Sequence, residues 1–217
     1  MNAPKLVLYG YFRSSCSYRV RLALAGKGLS YQSVAVNLLQ GEQRGEANVQ
    51  RSPTGYVPCL EVDGRRFVES VAILELLDDL FPDPALYPKD AFARARVRAM
   101  VEAVNSGIQP LQNLAVLKRV SSDPATVKEW GAHFNARGLA ALSRMVDLAR
   151  EDGVPGPFCH GDRLGAADVL LVPQLYSARR FGVDIGVWPR LLAAEAATLA
   201  LPGMLEATPE KQPDAAP

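Results

Sequence analysis

Phe12-Arg13-Ser14-Ser15-Cys16-Ser17-Tyr18-Arg19 stands between a short apolar run, Leu6-Val7-Leu8-Tyr9, and the stretch Val20 to Lys27, which has no Gly or Pro before Gly26. The first run predicts a strand and the second a helix, so the quoted residues form the turn that joins them. Amides at a helix start lack intrahelical partners, and Ser14, Ser15 or Ser17 can each act as the N-cap that accepts from one of them. Capping needs one serine. Ser, Ser, Cys and Ser together behind Arg13 point further, because a helix start favours an anion and hydroxyls aimed at one spot can hold a thiolate from a bound thiol.

Magnitudes make that chemistry feasible. An ordinary thiol has a pKa of about 8.5, and ionising it comfortably at neutral pH requires roughly 2.7 kcal/mol. A helix dipole contributes about 0.3 to 1 kcal/mol and a charge-assisted hydrogen bond from a hydroxyl about 1.5 to 3. Dipole plus one serine is therefore sufficient, and the dipole alone is not. Cys16 is the alternative thiolate; it has no Cys-x-x-Cys partner, which argues against a dithiol redox centre.

A length of 217 residues allows one large domain or two modest ones. The formal net charge of +1 gives no reason to expect nucleic acid or a membrane surface as partner. Arg94 and Arg98 share a helix face with Glu102 four residues beyond, which reads as a solvated, ion-paired face and not as a phosphate site. The three cysteines, Cys16, Cys59 and Cys159, show no metal-ligand spacing, so no metal is expected and a reduced interior is. Without a signal-type apolar core or a run of membrane-spanning length, the expected location is the cytoplasm.

After the first helix, Tyr31 to Val36 predicts a second strand, and the βαβ order favours a parallel pair. Leu38 to Gln50 is polar and contains Gly, as a loop with at most a short helix would. Pro58 opens the next apolar run, Cys59-Leu60-Glu61-Val62. A trans proline is tolerable at a strand start; a cis bond costs only about 0.5 to 1 kcal/mol and turns the Val57 backbone outward, unpaired by the sheet. Such an edge can grip a peptide as an added strand. Asp63-Gly64 is a hairpin turn into Arg65-Arg66-Phe67-Val68. Glu69-Ser70 then opens a helix over Val71 to Leu80, either as a cap or as a clamp for a small zwitterion, with Ser70 and helix-start amides for a carboxylate and Glu69 for an ammonium group.

From Pro82 to Asp90 the composition turns to Pro, Asp and Lys, a linker, and everything beyond reads as helical. Gly107 and Pro110 must break the segment Ala91 to Val120, where polar Gln109, Gln112 and Asn113 cluster, suited at the least to satisfying freed backbone groups. Asp123-Pro124 predicts N-cap and N1 of another helix. Cys159 and His160 are adjacent, so on an extended segment they point to opposite faces and make a poor dyad. Asp168 fits a capping box ahead of Val169 to Tyr176, and Arg179-Arg180-Phe181 closes that helix with two cations suited to its dipole. Trp188-Pro189 starts a final helix.

The order βαβ, Pro turn, ββα resembles the thioredoxin-like domain of glutathione transferases. Tyr11 to Arg21, Gly107-Ile108-Gln109-Pro110-Leu111-Gln112-Asn113-Leu114, and Val172-Pro173-Gln174 ahead of Arg180-Phe181 make the resemblance specific to the zeta class, which includes maleylacetoacetate and maleylpyruvate isomerases. The resemblance implies an α/β thioredoxin-like glutathione-binding domain over 1–82, a linker over 83–90 and an all-helical domain over 91–207, while the composition of 208–217 predicts a disordered tail. It implies a cis Pro58 and glutathione held by Val57, Glu69, Ser70, Gln109 and Asn113. Ser14, with Ser15 and Cys16, would carry the thiolate chemistry, and a homodimer is the usual assembly. Two departures stand out: Gly165 where the class has Ser or Thr, which costs a few tenths of a kcal/mol at a cap, and Ala115 where a hydroxyl is common.

The implied reaction is cis to trans isomerisation of a small dicarboxylate, a maleyl diketo acid, with glutathione as catalyst: the thiolate adds, the new single bond turns, and elimination releases the fumaryl product. Two substrate carboxylates call for cations, and Arg13 and Arg180 are the candidates. Other readings are a glutathione enzyme acting on α-halo acids or peroxides, and a glutathione-binding protein without turnover.

Overall fold

A computed structural model describes residues 4–215. The chain divides into two compact units, Met1–Ala85 together with Leu201–Pro217, and Leu86–Ala200.

In the first unit, β1 (Leu6–Gly10), α1 (Ser15–Gly26) and β2 (Gln32–Ala35) form the expected βαβ, followed by the single-turn α2 (Glu46–Val49), β3 (Cys59–Val62), β4 (Arg65–Val68) and α3 (Ser70–Leu80). The sheet order is β2-β1-β3-β4. β1 and β2 are parallel, with Val7 opposite Gln32, while β1 with β3 and β3 with β4 are antiparallel, with Tyr9 opposite Cys59. A helical crossover permits the parallel pair and the Asp63-Gly64 turn the antiparallel one. Leu6 and Leu8 on β1, Val20, Leu22 and Leu24 on α1, and Ile73, Leu74 and Leu77 on α3 are buried, and the two helices pack together.

Lys27, at the C-terminus of α1, has a fully buried side chain whose ammonium donates to Asp78 Oδ1 (2.8 Å) and to the carbonyls of Phe81 (2.7 Å) and Pro84 (2.8 Å). Three acceptors use all three of its donors, which is what makes burial of the charge tolerable. The end of α3 and the first residues of the expected linker are thereby tied to α1, and the unit runs to Ala85, beyond the anticipated boundary at 82.

The tail corrects the expectation of disorder from residue 208, as far as Ala215. Short 3-10 turns at Leu205–Ala207 and Pro209–Lys211 are present, Met204, Ala207 and Gln212 are buried, and the segment belongs to the first unit and not to the helical one. Polar composition suggested a chain unable to bury enough surface, but a few apolar anchors and buried hydrogen bonds suffice. Residues 216 and 217 lie outside the described residues.

The second unit is helical: α4 (Ala91–Asn105), α5 (Leu114–Val120), α6 (Pro124–Glu151), α7 (Ala166–Arg180) and α8 (Pro189–Leu199). Nearly all of α7 is buried, with Asp168, Gln174 and Ser177 hydrogen-bonded inside it, and it packs against α4, α6 and α8. The break between α4 and α5 falls where Gly107 and Pro110 predict it, as a 3-10 turn over Gln109–Gln112. Asp168 closes the capping box of α7, its carboxylate accepting from the amides of Cys159 (2.7 Å) and Gly165 (2.9 Å). Glycine at Gly165 is therefore tolerated, as expected.

Candidate active site

Ser14 is the N-cap of α1. Its backbone is extended (φ −68°, ψ 120°) and its Oγ accepts from the amide of Ser17 at 3.2 Å. Ser17 is buried, and its own hydroxyl accepts from the amide of Tyr11 (3.3 Å), a structural role. Among the described residues the amides of Ser15 and Cys16 have no hydrogen-bond partner. Ser14, Ser15 and Cys16 are half-buried, so this helix start presents two open amides and a hydroxyl that is held by the Ser17 amide and still has its proton to donate. Arg13 is half-buried beside them, its guanidinium 5.6 Å from the centre of the Phe12 ring.

Val57 lies below the same turn. Tyr11, Val36 and Val57 form a buried apolar cluster against which Tyr9, Phe12 and Leu38 pack, so hydrophobic contact brings the turn and the edge together. The Val57–Pro58 bond is cis, and among the described residues neither the amide nor the carbonyl of Val57 makes a hydrogen bond. That is one donor and one acceptor in the pattern a peptide strand offers.

At the second helix start, Glu69 has φ 66° and ψ 112°, a backbone region that costs a non-glycine residue about 1 to 3 kcal/mol and that marks functional sites. Its carboxylate is exposed and makes no hydrogen bond within the described residues, and the amides of Ser70, Val71 and Ala72 are open. Ser70 is buried and its hydroxyl accepts from Nη1 of Arg19 at 3.1 Å. Arg19, fully buried on α1, was not singled out by sequence; the available signal was a pair of cations, Arg19 and Arg21, interleaved with the apolar residues of the helix.

The expected residues of the helical unit have mixed fates. Asn113 caps α5, accepting from the amide of Ala115 (2.9 Å), so the bland reading holds for that oxygen. Gln112 joins a buried amide network: Asn135 Nδ2 donates to Gln112 Oε1 (2.7 Å), Gln174 Nε2 to Asn135 Oδ1 (2.5 Å), and Gln112 and Gln174 pair at 3.3 Å. Gln109 is half-buried and its side-chain amide makes no hydrogen bond among the described residues, which leaves it open to a ligand. Arg180 is exposed at the end of α7; its neighbour Arg179 forms the bidentate pair with Glu195, at 2.6 and 2.5 Å. The Cys159–His160 dyad finds no support, since Cys159 is fully buried and its thiol is pushed up by desolvation and by Asp168. Among the described residues no group of His, Cys, Asp and Glu could hold a metal ion.

Two helix starts with open amides, flanking an unpaired strand edge, fit a tripeptide thiol. Residues 8–85 match the family model described as glutathione S-transferase, N-terminal domain. A maleylacetoacetate isomerase of Pseudomonas aeruginosa is 44% identical over 95% of this chain and 97% of its own. The chain belongs to the zeta-class glutathione transferases. Within this class, the crystal structure of maleylacetoacetate isomerase from Anaeromyxobacter dehalogenans, with bound dicarboxyethyl glutathione and citrate, is 48% identical with a TM-score of 0.87, covering 100% of this chain and 96% of that one. The holo structure of a bacterial zeta-class maleyl pyruvate isomerase reaches a TM-score of 0.93 at 36% identity, over 97% and 100% of the two chains. No described helix is long and apolar enough to cross a membrane.

Proposed function

We propose that this zeta-class enzyme isomerises maleylacetoacetate to fumarylacetoacetate, with glutathione as catalyst, in aromatic amino-acid breakdown. Bound glutathione supplies a thiol that adds to the maleyl double bond, lets the resulting single bond turn, and leaves from the trans product. The observation that carries the reading is the start of α1. Ser14 Oγ accepts from the Ser17 amide through one lone pair, which fixes the side chain, and its proton stays available to donate beside the open amides of Ser15 and Cys16. Donors without competing acceptors favour a thiolate over a thiol.

The remaining roles follow from the same chemistry. Val57 pairs its amide and carbonyl with the cysteinyl part of the tripeptide. Ser70 and the amides opening α3 take the γ-glutamyl carboxylate, and Glu69 takes the ammonium group. Gln109 and Asn113 are further glutathione contacts, Cys16 is a secondary donor beside Ser14, and Arg13 and Arg180 pair with the substrate carboxylates. Dicarboxyethyl glutathione, as bound in the Anaeromyxobacter dehalogenans enzyme, has the composition of an adduct between glutathione and a four-carbon ene-diacid, which supports carrying this chemistry over. We also propose a cytoplasmic homodimer, for which free Cys16, Cys59 and Cys159 support the reducing compartment. A single-chain mass by light scattering would remove the dimer.

The test is conversion of maleylacetoacetate and of maleylpyruvate, each with and without glutathione. Turnover of the first, only with glutathione, is expected, and Ser14→Ala should lower kcat by about tenfold to a hundredfold, the worth of one charge-assisted hydrogen bond. Turnover of maleylpyruvate alone would make the enzyme a maleylpyruvate isomerase, and turnover of neither acid would end the isomerase reading.

A further inference from the structure

We infer that the C-terminal segment is a strap that positions the catalytic turn, with Arg21 and Asp214 as its positioning residues. Met204 and Ala207 anchor the segment in the first unit, where the Leu205–Ala207 turn packs on α1. Gln212, also buried, donates from Nε2 to the carbonyls of Glu206 (2.8 Å) and Thr208 (2.9 Å), which folds the strap on itself.

The strap then reaches the turn in two places. Asp214 Oδ2 accepts from the amide of Phe12 at 2.9 Å, across 202 positions of sequence. Arg21, only 3% exposed, donates from Nε to the carbonyl of Ala207 (2.8 Å) and from Nη2 to the carbonyl of Phe12 (2.9 Å). The Phe12 amide belongs to the peptide plane before its Cα and its carbonyl to the plane after. Because each plane is rigid, holding both restrains φ and ψ of Phe12. Those angles set the direction in which the chain enters Arg13 and Ser14, and the amide of Ser14 closes the turn by donating to Tyr11 (3.1 Å).

A tail that merely sealed a surface would change stability and nothing else. The strap should also change the thiol, on the proposed reading that Ser14 holds glutathione as thiolate. The test compares Asp214→Ala, Asp214→Asn and a chain ending at Lys211 with Ser14→Ala. Three quantities are read: hydrogen exchange of the Phe12 amide, ultraviolet thiolate absorbance of bound glutathione at fixed pH, and kcat.

Asp214→Ala and the shortened chain should speed Phe12 exchange, reduce the thiolate signal and lower kcat by about fivefold to tenfold, the loss of one hydrogen bond. Asp214→Asn, which keeps a carbonyl acceptor, should restore all three to within about twofold. A lower melting temperature in Asp214→Ala with thiolate and kcat intact, while Ser14→Ala loses both, overturns the strap and leaves the Ser14 reading standing. A thiolate signal that survives Ser14→Ala overturns the reading itself and the strap with it.

Discussion

Arg19 Nη1 and Ser70 Oγ lie 3.1 Å apart, joining the middle of α1 to the first residue of α3 through a cation that is fully buried. The hydroxyl accepts from the guanidinium, so its own proton is directed to another acceptor, and its oxygen is polarised by a charge in a low-dielectric interior. The two helix starts proposed to hold opposite parts of glutathione are thereby coupled.

Arg19→Met tests that coupling. Replacing a buried ion with an apolar side chain of similar length is often tolerated by the fold. The Ser70 contact should weaken by about 1 to 2 kcal/mol, raising the KM for glutathione by about fivefold to thirtyfold, with kcat at saturation within about twofold. A loss confined to kcat would place Arg19 with the thiolate and not with the γ-glutamyl end.

Arg13→Ala separates substrate from cofactor. With Arg13 paired to a substrate carboxylate, the KM for the dicarboxylate should rise by about tenfold or more and that for glutathione by less than about threefold. Equal rises would assign Arg13 to the shape of the turn, through its contact with the Phe12 ring, and not to the substrate.

Asp168 gives a pH dependence with a definite sign. Burial pushes its carboxyl up to about 6, against the pull of two backbone amides, while in the unfolded chain it ionises at about 4. Between those values the folded protein keeps a proton that the unfolded chain has released. The stability this group contributes is therefore full below about pH 4 and falls by about 3 kcal/mol as pH rises through 6. Denaturant titrations of Asp168→Asn across pH 4 to 7 should lack that decline relative to the parent, on top of a pH-independent loss of about 1 kcal/mol for one amide left without its acceptor. Parallel curves for the two proteins would show that the carboxyl titrates at its ordinary value.

Gly131→Ala examines the packing beside Arg180. A Cβ at Gly131 would lie 2.2 Å from Cε1 of Phe181, so the ring must move. Overpacking costs about 1 to 3 kcal/mol while alanine regains about 1 of helix propensity, so the net is a loss of up to about 2 kcal/mol and a melting temperature lower by up to about 8 °C. Since Phe181 adjoins Arg180, the KM for the dicarboxylate should rise as well; a rise in the KM for glutathione alone would speak against Arg180 as a substrate contact.

Elements and caps were legible because they depend on neighbours in sequence. The strand-turn-helix at residues 6–26, the hairpin at Asp63-Gly64, the break at Gly107 and Pro110, the Asp123-Pro124 start and the Asp168 capping box all rest on contacts a few residues apart, and each was found where the local pattern placed it. Even so, local pattern could not choose between Ser14, Ser15 and Ser17 as cap, since one residue of difference in helix start exchanges their roles. The geometry of α1 chose Ser14.

By itself the sequence determined the two kinds of unit, the serine-rich helix start and, through resemblance, the family. Tertiary structure alone decided what the buried cations do and where the tail goes. Arg19 and Arg21 on α1 and Lys27 at its end have no local acids to explain them, and their partners are Ser70, Phe12 with Ala207, and Asp78 with Phe81 and Pro84. Charges taken out of water must find acceptors wherever the fold brings them, and those acceptors lie from 9 to 186 positions away. The same reasoning explains the ordered C-terminus: its composition predicts disorder, and only the folded first unit offers the Phe12 amide that Asp214 accepts and the Arg21 guanidinium that Ala207 receives.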